Sequence, residues 1–261
     1  MVAPAPPAVT EQDAVERFRR DHPGLALPPV LVVVPAYEEA GTVGAVVAAV
    51  PPAMAGLETA VLVVDDGSRD DTGARASSAG ALVCRLPVNS GQGAALRTGY
   101  RIAVDHGARF IATLDADGQW AGADLPRLVE VVSSGQADLV SGTRRAGDHQ
   151  DPERWTVRGA GVVVFAGLIR LLTGARVTDP ANGLRVMTAE VAAGVELEQP
   201  QFQAAELLVS AVCRGFRYTE IPVSHARRSS GTSKKGGSLS YGWRFSRALV
   251  GTWWRERRRS R

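Results

Sequence analysis

Short apolar runs alternate with longer segments of helical period along the first half of the chain. Val30–Pro35, Ala60–Val64, Leu82–Leu86, Phe110–Leu114 and Leu139–Ser141 are rich in valine, leucine and isoleucine, with Arg85 their one internal charge. Strands apolar on both faces suit a parallel sheet covered by helices on either side. Between them, Thr42–Val50, Asp70–Ala79, Gly93–His106 and Asp124–Ser134 read as helices. This alternation predicts an α/β, doubly wound, mostly parallel sheet flanked by helices. Upstream, Thr10-Glu-Gln-Asp13 has the spacing of an acidic N-cap and starts a short polar helix to about Asp21, which Pro23, Pro28 and Pro29 keep from continuing.

The second half is less regular. Thr156–Leu172 predicts a long amphipathic or buried helix, Gly183–Met187 a strand, Ala204–Arg214 a helix, and Tyr218–Ile221 a strand stopped by Pro222. Ser229–Ser240, rich in Gly, Ser and Lys, reads as a mobile loop. The expected organisation is a disordered start and short helix over 1–29, one α/β domain over 30–226, a mobile basic loop over 227–238, and a basic, Trp-rich helix over 239–261.

Charge changes this picture more than composition does. The 45% apolar and 22% charged content excludes a disordered chain, a collagen and a disulfide-stapled miniprotein. Cys84 and Cys213 lie far apart on apolar segments and read as reduced, buried thiols. No apolar run follows a basic start, so no signal peptide is expected. Gly159–Gly174 is shorter than the roughly 20 apolar residues of a membrane span, and Arg170 interrupts it. The overall charge of +3 hides an asymmetry: residues 226–261 hold eleven Lys and Arg against Glu256, a net +10, so the rest carries −7. A basic tail that sets Trp243, Trp253 and Trp254 among arginines fits a helix lying on an anionic lipid surface. No nucleic-acid module accompanies it, so nucleic acid is not an expected partner.

Ligands of open parallel sheets bind at the carboxyl ends of the strands. Here those ends carry Pro35-Ala-Tyr37-Glu38-Glu39, Asp65-Asp66-Gly-Ser and Asp115-Ala116-Asp117-Gly-Gln119. Five or six carboxylates facing one crevice need a cation between them, and a hard divalent ion bridging to phosphate oxygens supplies it. Asn89-Ser-Gly-Gln-Gly-Ala-Ala is a strand-to-helix turn with close backbone approach, although Leu96 occupies the third glycine position of a dinucleotide fingerprint.

Together, Val-Pro-Ala-Tyr-Glu-Glu, Val-Asp-Asp-Gly-Ser-Arg-Asp-Asp-Thr, Asn-Ser-Gly-Gln-Gly-Ala-Ala and Leu-Asp-Ala-Asp-Gly-Gln resemble family 2 glycosyltransferases with the GT-A fold. Thr178-Asp-Pro-Ala-Asn-Gly-Leu-Arg185 and Arg228-Ser-Ser-Gly-Thr-Ser-Lys234 are similar to the dolichyl- or polyprenyl-phosphate mannose and glucose synthase branch. The resemblance implies a metal-dependent, inverting hexosyltransferase that uses a nucleoside-diphosphate sugar, with a GDP- or UDP-sugar first in line. It implies that Pro35, Tyr37, Glu39, Asp65, Asp66, Gly93, Ala94, Asp115 and Ala116 line the nucleotide site. Asp115, Asp117 and Gln119 are the implied ligands of Mg²⁺ or Mn²⁺, with Asp117, Glu206 and Arg228 as implied catalytic residues.

On the acceptor side Arg144, Arg158 and Arg228 are expected to clamp phosphate oxygens, which guanidinium groups grip bidentately, with Asp179 and Arg185 shaping the same region and Lys234 following Arg228 at the family's spacing. A lipid-phosphate acceptor is already an anion, and Glu206 would then only orient it. A soluble hydroxyl acceptor would need Glu206 as general base. Val162 stands where the branch often has Ser, and that second acceptor stays open. A non-catalytic nucleotide-sugar-binding protein is the alternative of another class. The expected location is the cytoplasm, peripheral on the inner face of the plasma membrane.

Overall fold

In the computed structural model, residues 10–119, 122–144, 157–180, 182–199, 202–224 and 239–259 are described. The chain runs α1 (Glu11–Asp21), β1 (Val30–Ala36), α2 (Val43–Ala48), β2 (Ala53–Met54), β3 (Leu57–Asp65), α3 (Thr72–Ser78), β4 (Leu82–Arg85), α4 (Gln92–Asp105), β5 (Phe110–Thr113), α5 (Leu125–Ser133) and β6 (Leu139–Thr143). It continues through α6 (Val157–Thr173), β7 (Arg185–Thr188), α7 (Ala189–Gly194), α8 (Gln203–Cys213), β8 (Tyr218–Pro222) and α9 (Leu239–Arg259). Thr10 and Asp13 form a capping box on α1, each side chain accepting from the other's backbone N–H.

One sheet of order β2-β3-β1-β5-β7-β6-β8 organises the fold, with β4 beside the far half of β3. β4, β3, β1 and β5 are mutually parallel, and β6 is parallel to β8. β7 lies antiparallel between β5 and β6, so the sheet is mixed. A four-residue, mostly buried run reads the same in either direction, and the pattern Arg-Val-Met-Thr carries no sign of its orientation.

β1 is buried along its whole length because its residues alternate between two cores. Leu31 and Val33 pack with α1 and α4 through Phe18, Leu96 and Ile102. Val30, Val32 and Val34 pack on the other face with α2 and α5 through Val43, Val47, Leu128 and Val132. α4 lies close on the sheet at Gly99, where a methyl group would overlap Val33. A third cluster joins Ile169 of α6, Leu208 and Val209 of α8, and Phe245 and Leu249 of α9. The basic C-terminal helix therefore packs on the body of the fold, with one side still open to solvent.

Cys84 is buried, which pushes its thiol up to about 12, whereas Cys213 is only half-buried. Among the described residues no helix is long and apolar enough to cross a membrane. The expected disordered start and mobile basic loop fall on residues outside the description.

Candidate active site

The carboxyl ends of β1, β3 and β5 lie side by side, and the turns leaving them form one crevice. At the end of β3, the Asp66 N–H bonds the Ala36 carbonyl of β1 at 2.8 Å. Gly67 follows with φ +72°, and a Cβ there would sit 2.6 Å from the Val88 carbonyl carbon. The turn thus lies directly on the segment that leads into α4. The Asp66 carboxylate accepts the Ser90 and Gly91 N–H groups at 2.7 and 2.8 Å and shapes the entry to α4. Burial pushes its carboxyl above the ordinary value, against these two bonds, and the neighbouring Asp65 charge adds to the rise. Gly93 and Ala94 are buried on the first turn of that helix.

Asp65 does not line the crevice, contrary to its expected contact with the nucleotide. Its side chain is fully buried, accepts the Ser68 N–H at 2.8 Å and lies 3.7 Å from the Arg85 guanidinium. It holds the Asp-Gly turn from beneath. At the end of β1, Pro35 is buried and Tyr37 and Glu39 are half-buried. Glu38 adopts φ 55°, and the Glu38 and Glu39 N–H groups donate to Ser68 Oγ (2.9 Å) and Thr72 Oγ1 (2.8 Å). The Glu39 carboxylate accepts from the Thr42 hydroxyl at 2.7 Å.

Beyond β5 come Asp115, the buried Ala116 and Asp117, the two acids half-buried. Asp115 Oδ1 accepts from Gln92 Nε2 at 3.0 Å, which ties the acidic turn to the first residue of α4. Gly183, just before β7, leaves the space that the Asp115 carboxylate fills; any Cβ there would overlap it. Asp117 Oδ1 accepts the Gln119 N–H at 3.0 Å.

The expected crowd of five or six carboxylates around one ion is therefore thinned. Asp65 and Asp66 are buried against the chain's own amides, whereas Asp115 and Asp117, each accepting from a glutamine, are only half-buried and form the acidic pair of the crevice. Among the described residues no three His, Cys, Asp or Glu side chains cluster around a metal position. Two half-exposed carboxylates with an amide-bearing Gln119 nearby nevertheless fit a hard cation of the Mg²⁺ type. Such an ion takes one or two protein carboxylates and completes its shell with phosphate and water.

On the other side, Arg144 at the end of β6 clasps Asp179 through Nε at 2.7 Å and Nη2 at 3.0 Å. Asp179 is fully buried in this pair, and Glu220 on β8 accepts the Thr178 and Asp179 N–H groups at 2.9 and 3.2 Å. Arg185 is expected to shape the acceptor region together with Asp179. It is 5% exposed, donates to the Asn182 carbonyl, and lies within electrostatic reach of Asp115 and Asp179. Burial lowers its basicity, so it is an internal cation beneath the site. Arg228, Lys234 and the side chain of Arg158 lie outside the described residues.

Glu206 stands on the first turn of α8 with its side chain 1% exposed. Its oxygens accept the Glu198 and Gln199 N–H groups at 3.0 and 2.9 Å, and Arg255 of α9 pairs with it at 3.1 Å. Glu206 is thus held by two backbone amides and a guanidinium, an arrangement that suits the orienting role expected with a lipid-phosphate acceptor. Sequence reasoning missed Gln92 and Gly183, although both lie inside motifs it had singled out. The tail's sequence does not single out Arg255 among its arginines.

These features have clear relatives. The family model described as glycosyl transferase family 2 matches residues 31–190. An uncharacterized glycosyltransferase of Mycobacterium tuberculosis is 38% identical over 213 residues, covering 80% of this chain and 91% of that one. The undecaprenyl-phosphate mannosyltransferase of Micrococcus luteus is 31% identical over 225 residues, covering 80% and 88%. In fold, the chain is similar to glucosyl-3-phosphoglycerate synthase from Mycobacterium tuberculosis, solved with Mn²⁺, UDP and phosphoglyceric acid. The TM-score is 0.66 at 22% identity, over 97% of this chain and 84% of that one. With a GT-A-like sheet, an acidic turn beyond β5 and a family match over more than half its length, the chain belongs to glycosyl transferase family 2 and is a glycosyltransferase.

Proposed function

We propose that the protein transfers a sugar, with inversion, from a GDP- or UDP-sugar to a polyprenyl phosphate at the cytoplasmic face of a membrane. The observation that carries this reading is the convergence of Asp115 and Asp117 with the Asp66-bound turn and the α4 N-terminus on one crevice. The positive end of the α4 dipole favours an anionic diphosphate. Asp115 and Asp117, with Gln119 beside them, would hold Mg²⁺ or Mn²⁺, which when bound neutralises charge on the departing diphosphate. Pro35, Tyr37, Glu39 and Asp66 frame the base and ribose side. In the transfer, an acceptor oxygen forms a bond to the anomeric carbon as the bond from that carbon to the diphosphate oxygen breaks.

The state of Glu206 supports the phosphate acceptor. A phosphate monoester anion needs positioning and no deprotonation, and the carboxylate at the family's acidic position is already engaged. The mannosyltransferase named for undecaprenyl phosphate is consistent with that choice. Arg144, set by Asp179, and Arg228 with Lys234 are the acceptor-side cations of this reading. The outer stripe of α9 supports a lipid surface as partner: Trp243, Val250 and Trp254 are exposed, and the Arg258 guanidinium lies 3.4 Å over the Trp254 ring. Val163, Val164 and Leu171 of the adjoining α6 are exposed too.

The decisive experiment uses Asp117→Ala and, separately, EDTA on the native enzyme, with radiolabelled GDP- and UDP-sugars and polyprenyl phosphate in detergent. Both should lower transfer into the organic phase at least about 100-fold, and Mn²⁺ should restore only the EDTA-treated native enzyme. Full turnover by Asp117→Ala would sink the reading. Transfer to water-soluble hydroxyl acceptors alone would replace the lipid phosphate.

A further inference from the structure

The C-terminal helix reaches back into the site through its last two turns. Arg255 Nη2 lies 3.1 Å from Glu206 Oε1 and 2.9 Å from the Glu196 carbonyl, and Nη1 lies 2.7 Å from Glu198 Oε2. Arg259 pairs with Glu196 at 2.7 Å, and Glu256 pairs with Arg214 of α8 at 2.7 Å. Arg255 is 16% exposed and Glu206 1%; Arg255 also meets Glu198 and Glu256, whereas among the described residues it is the cation paired with the buried Glu206.

The segment that Glu206 holds borders the donor site. Glu206 accepts the Glu198 and Gln199 N–H groups, and the next carbonyl, that of Gln199, presses on α4. A Cβ on Gly93 would lie 2.6 Å from the Gln199 oxygen and 2.8 Å from Gln203 Nε2, so only glycine permits this approach. Gly93 follows Gln92, whose side chain reaches Asp115. An unbroken line of contacts thus runs from Arg255 through Glu206 and Gln199 to the first turn of α4 and the acidic turn.

We propose that Arg255 is a positioning residue of the donor site, fixing Glu206 and through it the Glu198–Gln199 backbone that walls the first turn of α4. This makes the basic tail helix a working part of the enzyme as well as a membrane contact, and it rests on the donor-site reading above. Without Arg255, Glu206 would be a buried charge lacking its counterion, and the wall would shift to rehydrate it. Displacements of about 1 Å at such a wall are felt in substrate binding and turnover.

The test measures donor KM and kcat for Arg255→Met, Arg255→Lys, Glu206→Gln and the Arg255→Met/Glu206→Gln pair. UDP and GDP binding is followed by calorimetry with Mn²⁺, and Asp117→Ala is run alongside. Arg255→Met and Glu206→Gln should each weaken donor or nucleotide binding about tenfold, and the double variant should be no worse than either single one. Arg255→Lys should recover most of the loss. A purely structural role would lower the thermal midpoint and the active fraction while leaving donor KM within twofold, and that result overturns the proposal. So does additivity in the double variant. Should Arg255→Met fail to fold, Glu206→Gln decides alone: unchanged donor KM overturns the proposal, as does a 10²–10⁴-fold fall in kcat at constant KM, the mark of a general base. An inactive Asp117→Ala beside normal Arg255 variants removes the positioning role only. An active Asp117→Ala removes the donor-site reading itself.

Discussion

Asp115 and Gly183 occupy each other's space. The carboxylate lies where a side chain at position 183 would begin, and Gln92 holds its other oxygen at 3.0 Å. Gly183→Ala would therefore turn the carboxylate away from its cradle without touching the core. We expect a folded protein, by circular dichroism, whose transfer rate falls at least about tenfold and whose Mn²⁺ requirement moves to higher concentration. Wild-type kinetics with respect to Mn²⁺ would show that the cradle has no part in placing Asp115. At this scale the motifs were legible and their division of labour was not. Asp65 and Asp66 are adjacent and identical in type, yet one is sealed beneath the turn and the other shapes the entry to α4. Strand alternation puts neighbours on opposite sides, but which side is the crevice depends on the partner strands. Arg185 and Arg144 likewise look equivalent as letters, and burial separates them.

The elements that carry the site are held at their ends by side-chain to backbone bonds. β6 and β8 start together because Arg217 donates to Asp138 through its backbone N–H at 2.7 Å and its guanidinium at 2.6 Å, while the Asp138 and Leu139 N–H groups return to the Arg217 carbonyl. Hydrogen bonding from Arg217 holds the Asp138 carboxyl below the ordinary carboxylate value. The native value lies below that of the unfolded chain, so the pair adds stability above the ordinary carboxylate range, and this is lost as pH falls through the lowered native value. Arg217 is well exposed, so solvent screens the effect. Arg217→Ala should lower the thermal midpoint slightly at neutral pH, and the two melting curves should converge in acid. An undiminished gap there would assign the effect to packing. Most elements could be read from period alone, β1 and α4 above all, because their apolar positions are continuous or regularly spaced. β2, two residues long, and α7, six residues started by the Thr188 hydroxyl, lie below what a pattern can register. The reversed direction of β7 is a property of the sheet and not of its four residues.

At the scale of the whole molecule, α8 joins the two halves of the protein. Leu207 and Ala211 belong to the core beneath the sheet, while Leu208 and Val209 meet α6 and α9. α9 is thereby two-sided. Its inner side, with Phe245, Leu249 and Arg255, packs on the body, and its outer side carries Trp243, Val250 and Trp254. The tail's charge and tryptophans announced a surface helix, but its period alone could not say which arginines face inward. Trp243→Ala with Trp254→Ala should reduce sedimentation with vesicles containing anionic phospholipid about tenfold or more, while transfer to a short polyprenyl phosphate in detergent stays within twofold. Undiminished sedimentation would assign the lipid contact elsewhere.

The antiparallel placement of β7 bears on how the acidic turn is seated. Gly183 meets Asp115 because β7, later in the chain than both its neighbours, lies antiparallel between β5 and β6. A chain lacking that strand would lack the seat of the acidic turn. The seat of the acidic turn is therefore shared between a strand from the first half of the sequence and a glycine some seventy residues further on.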